Sequence, residues 1–236
     1  MVFHDEFHHL TDNFYSTRSK VVDSDEAEHE SLAKQVGWQS YESQKQNFEV
    51  ATNLNNIAWN SVHSILDVGC GYGELVRYLR EEKAFEGTYT GVDILDRFIH
   101  GATQTYGEDD RNTFICGDIL SCSQLLSAYD IVISMGTLSI NYDHPSSHGE
   151  RTEWFTNHLI ELICSLATSS VVLYFIDEDK TPFMERIIAD NMAFYNSEDI
   201  RTRLIHRSKR RINQLTIESY PNLDSCKTIA KLYYAP

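Results

Sequence analysis

The sequence predicts an α/β fold: a mostly parallel sheet with helices on both faces. Three observations carry that expectation. From Ser64 onward, short apolar runs alternate with amphipathic runs of helical spacing, the order that parallel strand–helix–strand units require. The first apolar run passes straight into a glycine-rich turn, "ILDVGCGYGEL". The last two strand-like runs follow one another with no helix between them, so one closing strand has to run antiparallel.

The elements follow in order. Upstream, "SYESQKQNFEVATNLNNIAW" repeats apolar residues at helical spacing (Phe48, Ala51, Leu54, Ile57, Ala58), with Ser40 or Ser43 as its cap. "SILDV" is a short buried strand. "GELVRYLREEKAF" is an amphipathic helix that turns Leu75, Val76 and Leu79 inward, with Gly87 ending the turn after it. "TYTGVDI" is the second strand, and "DRFIHGATQTY" a helix capped by Asp96 and stopped by Gly107. "NTFICGDI" and "YDIVISM" are the third and fourth strands. "ERTEWFTNHLIELICSLA" is a long helix, "SSVVLYFI" the fifth strand, and "TPFMERIIADNMAFY" a helix with Pro182 in its first turn. "RRINQLTIESY" and "KTIAKLYYA" close the chain as two strands joined by "PNLDSC". This divides the protein into a helical extension or lid at 1–59 and the α/β domain at 60–236.

Composition sets the outer limits. The 236 residues suffice for one sizeable core, and 42% hydrophobic content is that of a folded chain. No apolar run approaches the roughly 20 residues of a membrane span, and "MVFHDEFHHL" lacks the basic-then-apolar order of a secretory signal. The expectation is a cytoplasmic protein with no membrane partner. Five cysteines without CxxC spacing imply free thiols. The net charge of -15 repels phosphate backbones, which disfavours a nucleic-acid partner. That charge is uneven: eight of the first thirty residues are acidic, whereas six of the eleven in "RTRLIHRSKRR" are basic. The basic run either binds a substrate phosphate, pairs with the acidic N-terminus, or forms a solvated face. His4, His8 and His9 do not follow the order of a metal motif and belong to a solvated helix start, so no metal is expected.

In open α/β sheets ligands bind at the strand tips where the strand order reverses. Gly69, Cys70, Gly71, Tyr72 and Gly73 form a GxGxG turn there; glycine permits positive φ and close approach of the backbone. The helix that follows offers free N–H groups. A dinucleotide loop has GxGxxG spacing, but here the third glycine comes one position early and Glu74 stands where a pyrophosphate loop has glycine. Asp67, two residues before the first glycine, suits an ammonium group. Asp93 at the second strand tip suits the hydroxyls of a ribose. Asp118 suits an exocyclic amine, with the Ile119 backbone positioned for a ring nitrogen. S-adenosylmethionine carries all of these groups.

On "LDVGCGYG", "GVDI", "GDIL" and "DIVISMGTL", the chain resembles the class I S-adenosylmethionine-dependent methyltransferases over Ser64 to Leu138. The resemblance implies a Rossmann-like fold with seven strands in the order 3-2-1-4-5-7-6, one of them antiparallel. It also implies S-adenosylmethionine as cofactor, held by Asp67, Gly69, Cys70, Gly71, Tyr72, Gly73, Asp93, Ile94, Asp118, Ile119, Ser134 and Met135. Upstream, "VGWQSYESQKQNF" is similar to an N-terminal segment of small bacterial and phage-encoded members, which adds Trp38 and Gln44 as covers of the cofactor. The position that holds Arg in those members holds Asn47 here.

Methyl transfer is an in-line displacement that needs its nucleophile held close to the methyl; a base is needed only where a proton must leave early. The stretch after the fourth strand faces that methyl and lacks an NPPY-like motif. Tyr142, Asp143, His144 and His148 stand there as catalytic candidates, with a histidine as base helped by Asp143. The bland alternative is a polar loop leading into the next helix. The expected activity is methyl transfer to a small molecule. The alternatives are a non-catalytic cofactor-binding module and, ranked lower, a nicotinamide-dependent oxidoreductase.

Overall fold

A computed structural model describes residues 4–19, 28–143, 149–189, 191–220 and 227–235. Three helices come first: α1 (His4–Ser19), α2 (Glu28–Gln35) and α3 (Tyr41–Thr52). The α/β unit follows as β1 (Ser64–Val68), α4 (Glu74–Lys83), β2 (Thr88–Asp93), α5 (Asp96–Tyr106), β3 (Asn112–Cys116), β4 (Tyr129–Ser134), α6 (Glu150–Leu166) and β5 (Ala167–Ile176). The chain closes with α7 (Phe183–Ile188), α8 (Ser197–Arg207), β6 (Ile212–Tyr220) and β7 (Lys227–Tyr234). The seven strands form one sheet in the order β3-β2-β1-β4-β5-β7-β6. β1 to β5 are parallel, and β7 lies antiparallel between β5 and β6. The expected order and the antiparallel strand are both present. No helix among the described residues is long and apolar enough to cross a membrane.

Strand alternation builds two cores. Successive side chains of a strand face opposite ways. Ile65 and Leu66 of β1 therefore enter different clusters, as do Ile131 and Val132 of β4 and Val172 and Leu173 of β5. One face packs on Leu159, Ile160 and Ile163 of α6 with Ile200 and Leu204 of α8. The other packs on Leu75, Val76 and Leu79 of α4 with Phe48 and Ala51 of α3. Because both faces are covered, the parallel strands read as nearly continuous apolar runs.

Several boundaries differ from the sequence expectation. Ser40 is the cap of α3, accepting from the Ser43 N–H at 3.0 Å, but the helix ends at Thr52 instead of running on through Ile57. The cap position of α5 is Leu95, with Asp96 in the first turn; Gly107 closes the helix as expected, bonding back to Thr103. The left-handed residue that ends α4 is Ala84 (φ 52°), not a glycine. The run after Pro182 is not one helix. α7 stops at Ile188, and the chain then bridges Met192 to Ile140 and Tyr195 to Asp177. That tertiary pairing overrides the local helical pattern. A helix appears where none was expected: Asn196 accepts from the N–H groups of Glu198 (2.9 Å) and Asp199 (3.3 Å) and starts α8.

The basic run lies on and after α8. Arg203 and Arg207 pair with Glu153 and Glu161 of α6, at 3.7 and 3.0 Å, and Arg201 pairs with Glu198 of its own helix. These cations join two helices on one face of the sheet.

A non-glycine residue in the left-handed region costs roughly 1 kcal/mol. Ala84→Gly is therefore expected to raise stability by about 0.5–1 kcal/mol, read as a higher midpoint in denaturant unfolding.

Candidate functional site

The tips of β1, β2 and β4 open into a cavity of about 290 Å³. Its floor is the glycine turn. Gly69 and Gly71 take φ of 79° and 54°, and both line the cavity with Asp67, Cys70, Tyr72 and Asp93. A Cβ on Gly69 would lie 2.5 Å from Thr137 Cγ2, and one on Gly71 would lie 2.9 Å from Val36 Cγ1. Both glycines are thus demanded by the protein's own packing as well as by backbone angle. Gly73 plays a different part. It is also left-handed (φ 78°), but it faces the rings of Phe114 and Tyr106 and does not line the cavity.

Two carboxylates define the electrostatics. Asp67 is buried and accepts a 2.5 Å hydrogen bond from the hydroxyl of Tyr89, which is itself fully buried. Burial pushes the Asp67 carboxyl up to about 7; the Tyr89 bond opposes that shift and the charge of Asp93 adds to it. Asp93 accepts from the N–H of Gly71 (2.9 Å) through one oxygen and from that of Leu95 (3.0 Å) through the other. Its carboxyl is raised by burial, with those backbone bonds acting against the shift. Asp93 therefore clamps the glycine turn to the tip of β2 and keeps lone pairs for a ligand. Burial, with Asp93 and Asp67 adding to it, pushes the Cys70 thiol up, so it is an inert packing group.

Glu74 also lines this cavity, yet its charge is spent internally. It is buried, pairs with Arg77 at 3.0 Å, accepts from the Tyr106 hydroxyl, and lies 3.3 Å from His29. The wall opposite the glycine turn comes from α3 and the segment before it. Trp38 and Gln44 both line the cavity. Gln44 is 3% exposed and its Oε1 has no hydrogen-bond partner. Asn47 is fully buried and donates to Ser43 O at 2.7 Å, but it does not reach the lining.

A smaller recess of about 70 Å³ continues from Gly69, Asp93 and Met135 toward the tip of β3. Ile94, Asp118 and Ile119 line it. Asp118 accepts from the Leu120 N–H at 3.0 Å and the Ser121 hydroxyl at 3.2 Å. α1 roofs the recess with Phe7, Thr11 and Tyr15, which share one helical face. Ion pairs from Asp12 to Arg97 and from Glu6 to Arg151 (2.8 Å) tie α1 to α5 and α6. Ser134 lines neither space: it is fully buried and hydrogen-bonded to Thr137, which does line the recess.

Of the catalytic candidates, His144 and His148 lie outside the described residues. Tyr142 is buried against Phe7 and Phe155, with ring centroids 4.7 and 4.9 Å away, and its hydroxyl is 3.4 Å from Thr11. Burial raises that phenol well above its ordinary range, so Tyr142 is a neutral wall of the recess. Asp143 spends its carboxylate on α6, accepting from the N–H groups of Arg151 (2.9 Å) and Thr152 (3.3 Å). Gly149 has no capping side chain, so Asp143 caps the helix from a distance. It lines neither of these two spaces.

Sequence reasoning missed the far wall. Tyr174 at the end of β5, Met192, Phe194 and Lys227 at the start of β7 complete the cavity. These residues are separated in the chain and belong to no local motif, so only strand order brings them together.

The polar lining at the glycine end consists almost entirely of acceptors: two raised carboxylates and an unpartnered amide oxygen. Acceptors in that number fit a ligand that brings donors, an ammonium and a pair of hydroxyls, and S-adenosylmethionine has both. Residues 65–150 match the family model described as a methyltransferase domain. The fold is the class I methyltransferase fold. The chain is similar to the apo S-adenosylmethionine-dependent methyltransferase SibL, with a TM-score of 0.63 and 16% identity over 94% of this chain and 62% of that one. It is also similar to the N-methyltransferase NodS of Bradyrhizobium japonicum WM9 in complex with S-adenosyl-L-homocysteine, with a TM-score of 0.58 and 14% identity over 96% and 99% of the two chains. Among curated proteins, Rv1506c of Mycobacterium tuberculosis, which carries a methyltransferase name, is 38% identical over 53 residues. That stretch is 22% of this chain and 31% of the relative's length.

Three outcomes are expected. An ammonium-bearing ligand binds ionised Asp67, so affinity rises with pH through about 7 and levels above it. Calorimetric titration with S-adenosylhomocysteine is expected to give about tenfold weaker binding at pH 6 than at pH 8, and Asp67→Asn should flatten the profile. The apo protein shows the opposite trend, because the folded state keeps a proton that the unfolded state loses between about pH 4 and 7; its stability falls as pH rises through that window. Asp143→Ala should cost about 1 kcal/mol in denaturant unfolding through loss of the α6 cap, with cofactor affinity unchanged.

Proposed function

We propose that the protein is an S-adenosylmethionine-dependent methyltransferase acting on a small molecule. The observation that supports this reading best is the buried pair Asp67 and Asp93, set on either side of the glycine turn with no Lys or Arg among the cavity's described lining at that end. Two negative groups in a low-dielectric recess are costly by themselves and favourable once a cation lies between them. The Gln44 Oε1 adds a third acceptor for the same ammonium. Asp93 takes the ribose hydroxyls with its remaining lone pairs, and the recess beneath α1 takes the adenine, with Asp118 toward its amine.

When bound, the cofactor supplies a methyl on a positively charged sulfonium, and transfer of that methyl leaves a neutral thioether. The protein's own contribution is to hold the two reactants in line and keep water out. Trp38, Met135 and Tyr174 form the water-excluding walls at the centre of the cavity. Because Tyr142 and Asp143 are both committed elsewhere, no described residue at the tip of β4 serves as base. The described residues therefore contribute by positioning.

The modest volume of the cavity suits a small acceptor, and the net charge of -15 weighs against nucleic acid.

Purified protein incubated with methyl-labelled S-adenosylmethionine and fractionated cell extract should pass label to a low-molecular-weight fraction. Binding with no transfer to any fraction would favour a non-catalytic cofactor-binding module. Absence of thermal stabilisation by S-adenosylhomocysteine would sink the reading altogether. Asp93→Ala should weaken cofactor binding by about tenfold or more, since a charged acceptor is lost and the glycine turn is released.

A further inference from the structure

Asp67 is met by a residue of the neighbouring strand. β1 and β2 are parallel, with Ile65 beside Tyr89 and Asp67 beside Gly91. Tyr89, Gly91 and Asp93 alternate with Thr90 and Val92, so they share the face of the sheet that carries Ile65 and Asp67. Gly91 presents no side chain there. A Cβ on it would lie 2.8 Å from Cys70 Sγ and 3.0 Å from Phe114 Cδ1. The Tyr89 ring packs 5.9 Å from that of Phe114 and reaches along the strand to the level of Gly91, where its hydroxyl donates to Asp67 Oδ2 at 2.5 Å. Burial, with the Asp67 charge adding to it, raises the Tyr89 phenol, so it remains the donor. Oδ1 of Asp67 receives no donor from the described residues, and Asp67 lines the cavity.

We infer that Tyr89 is a positioning residue for cofactor capture: its hydroxyl holds Oδ2 of Asp67 and leaves Oδ1 aimed into the cavity as acceptor for the ligand's ammonium. This inference deepens the methyltransferase reading above and rests on it. The phenol's bond favours the ionised carboxylate, the form that is acceptor at both oxygens. It does so without a positive charge. An Arg or Lys in its place would pair with Asp67 and repel the ammonium. The other titratable groups facing Asp67 are Asp93 of β2, whose charge opposes ionisation, and the neutral thiol of Cys70. β4 presents the apolar Ile133 in register with Asp67. Elsewhere in the cavity, Glu74 of α4 is paired with Arg77, α3 contributes the non-titrating Gln44, and Tyr174 and Lys227 stand on the far wall. Among the described residues, Tyr89 is therefore the side chain that favours the charge of Asp67.

The test compares wild type with Tyr89→Phe by calorimetric titration of S-adenosylhomocysteine across pH. Tyr89→Phe should move the rise in affinity upward by about one pH unit, giving about fivefold weaker binding at pH 7 and a value within about twofold of wild type at pH 8.5. 5′-Methylthioadenosine, which has the nucleoside and lacks the ammonium, should bind both proteins alike at every pH. On an Asp67→Asn background, Tyr89→Phe should leave the pH profile unchanged. An unshifted profile, or an equal loss for both ligands at every pH, would overturn the inference. Should Tyr89→Phe fail to fold, Tyr89→3-fluorotyrosine carries the comparison: a stronger donor should move the rise in affinity downward, and no movement would overturn the inference. The apo protein supplies a second readout. By carbon-13 NMR, the Asp67 carboxyl, assigned through Asp67→Asn, should titrate at higher pH in Tyr89→Phe than in wild type, and coincident titrations would overturn the inference. Failure of wild type to bind S-adenosylhomocysteine would count against the methyltransferase reading, and the carboxyl titration would still decide whether Tyr89 keeps Asp67 ionised.

Discussion

Two carboxylates buried at neighbouring strand tips are the constraint around which the site is arranged. Asp67 and Asp93 sit where a soluble protein would ordinarily place apolar or exposed groups. Neither is left bare: a buried phenol donates to one and two backbone N–H groups donate to the other. These partners fix the geometry without supplying positive charge, which is why burial still raises both carboxyls. The arrangement is tolerable empty and improved by a cation. The geometry of the glycine turn follows from it, because the bond from Gly71 N–H to Asp93 ties the loop to the sheet.

The N-terminal helices complete what the sheet begins. α1 contributes Phe7, Thr11 and Tyr15 to the recess, and the stretch around α3 contributes Trp38 and Gln44 to the main cavity. They are held by apolar side chains sunk into the two cores, Phe7 and Phe14 of α1 and Phe48 and Ala51 of α3, while their exposed or half-exposed ion pairs add little. The sheet is held by the same two cores of alternating side chains.

The loop after β4 shows how residue type alone misleads. Tyr142 and Asp143 have the chemistry of catalysis, and their position after the fourth strand suits it. In the folded chain one is an aromatic wall and the other a helix cap. Thr152 lies nine residues beyond Asp143, so no local capping pattern marks the bond. The basic run behaves similarly: it has the composition of an anion site, but Arg203 and Arg207 are engaged with acids of α6. Short-range patterns fail where a side chain's partner is set by the packing of two distant elements.

The strand order was implied by the family resemblance; the residue pattern itself determined the alternation of strands and helices, the antiparallel closing strand, and the placing of Asp67, Asp93 and the glycines at one end of the sheet. These follow from period-two alternation, backbone permissiveness and the single hand of parallel crossovers, all of which are local or nearly so. It also exposed Trp38 and Gln44 through their motif. Tertiary structure alone decided that Gly73 serves packing, that the run after Pro182 breaks to pair with Ile140 and Asp177, and that α8 forms behind Asn196. It alone brought Tyr174 and Lys227 opposite Trp38, since they meet only after β7 inserts between β5 and β6. The acidic end of the cavity is written in contiguous motifs; its far wall is complete only once the last strand is in the sheet.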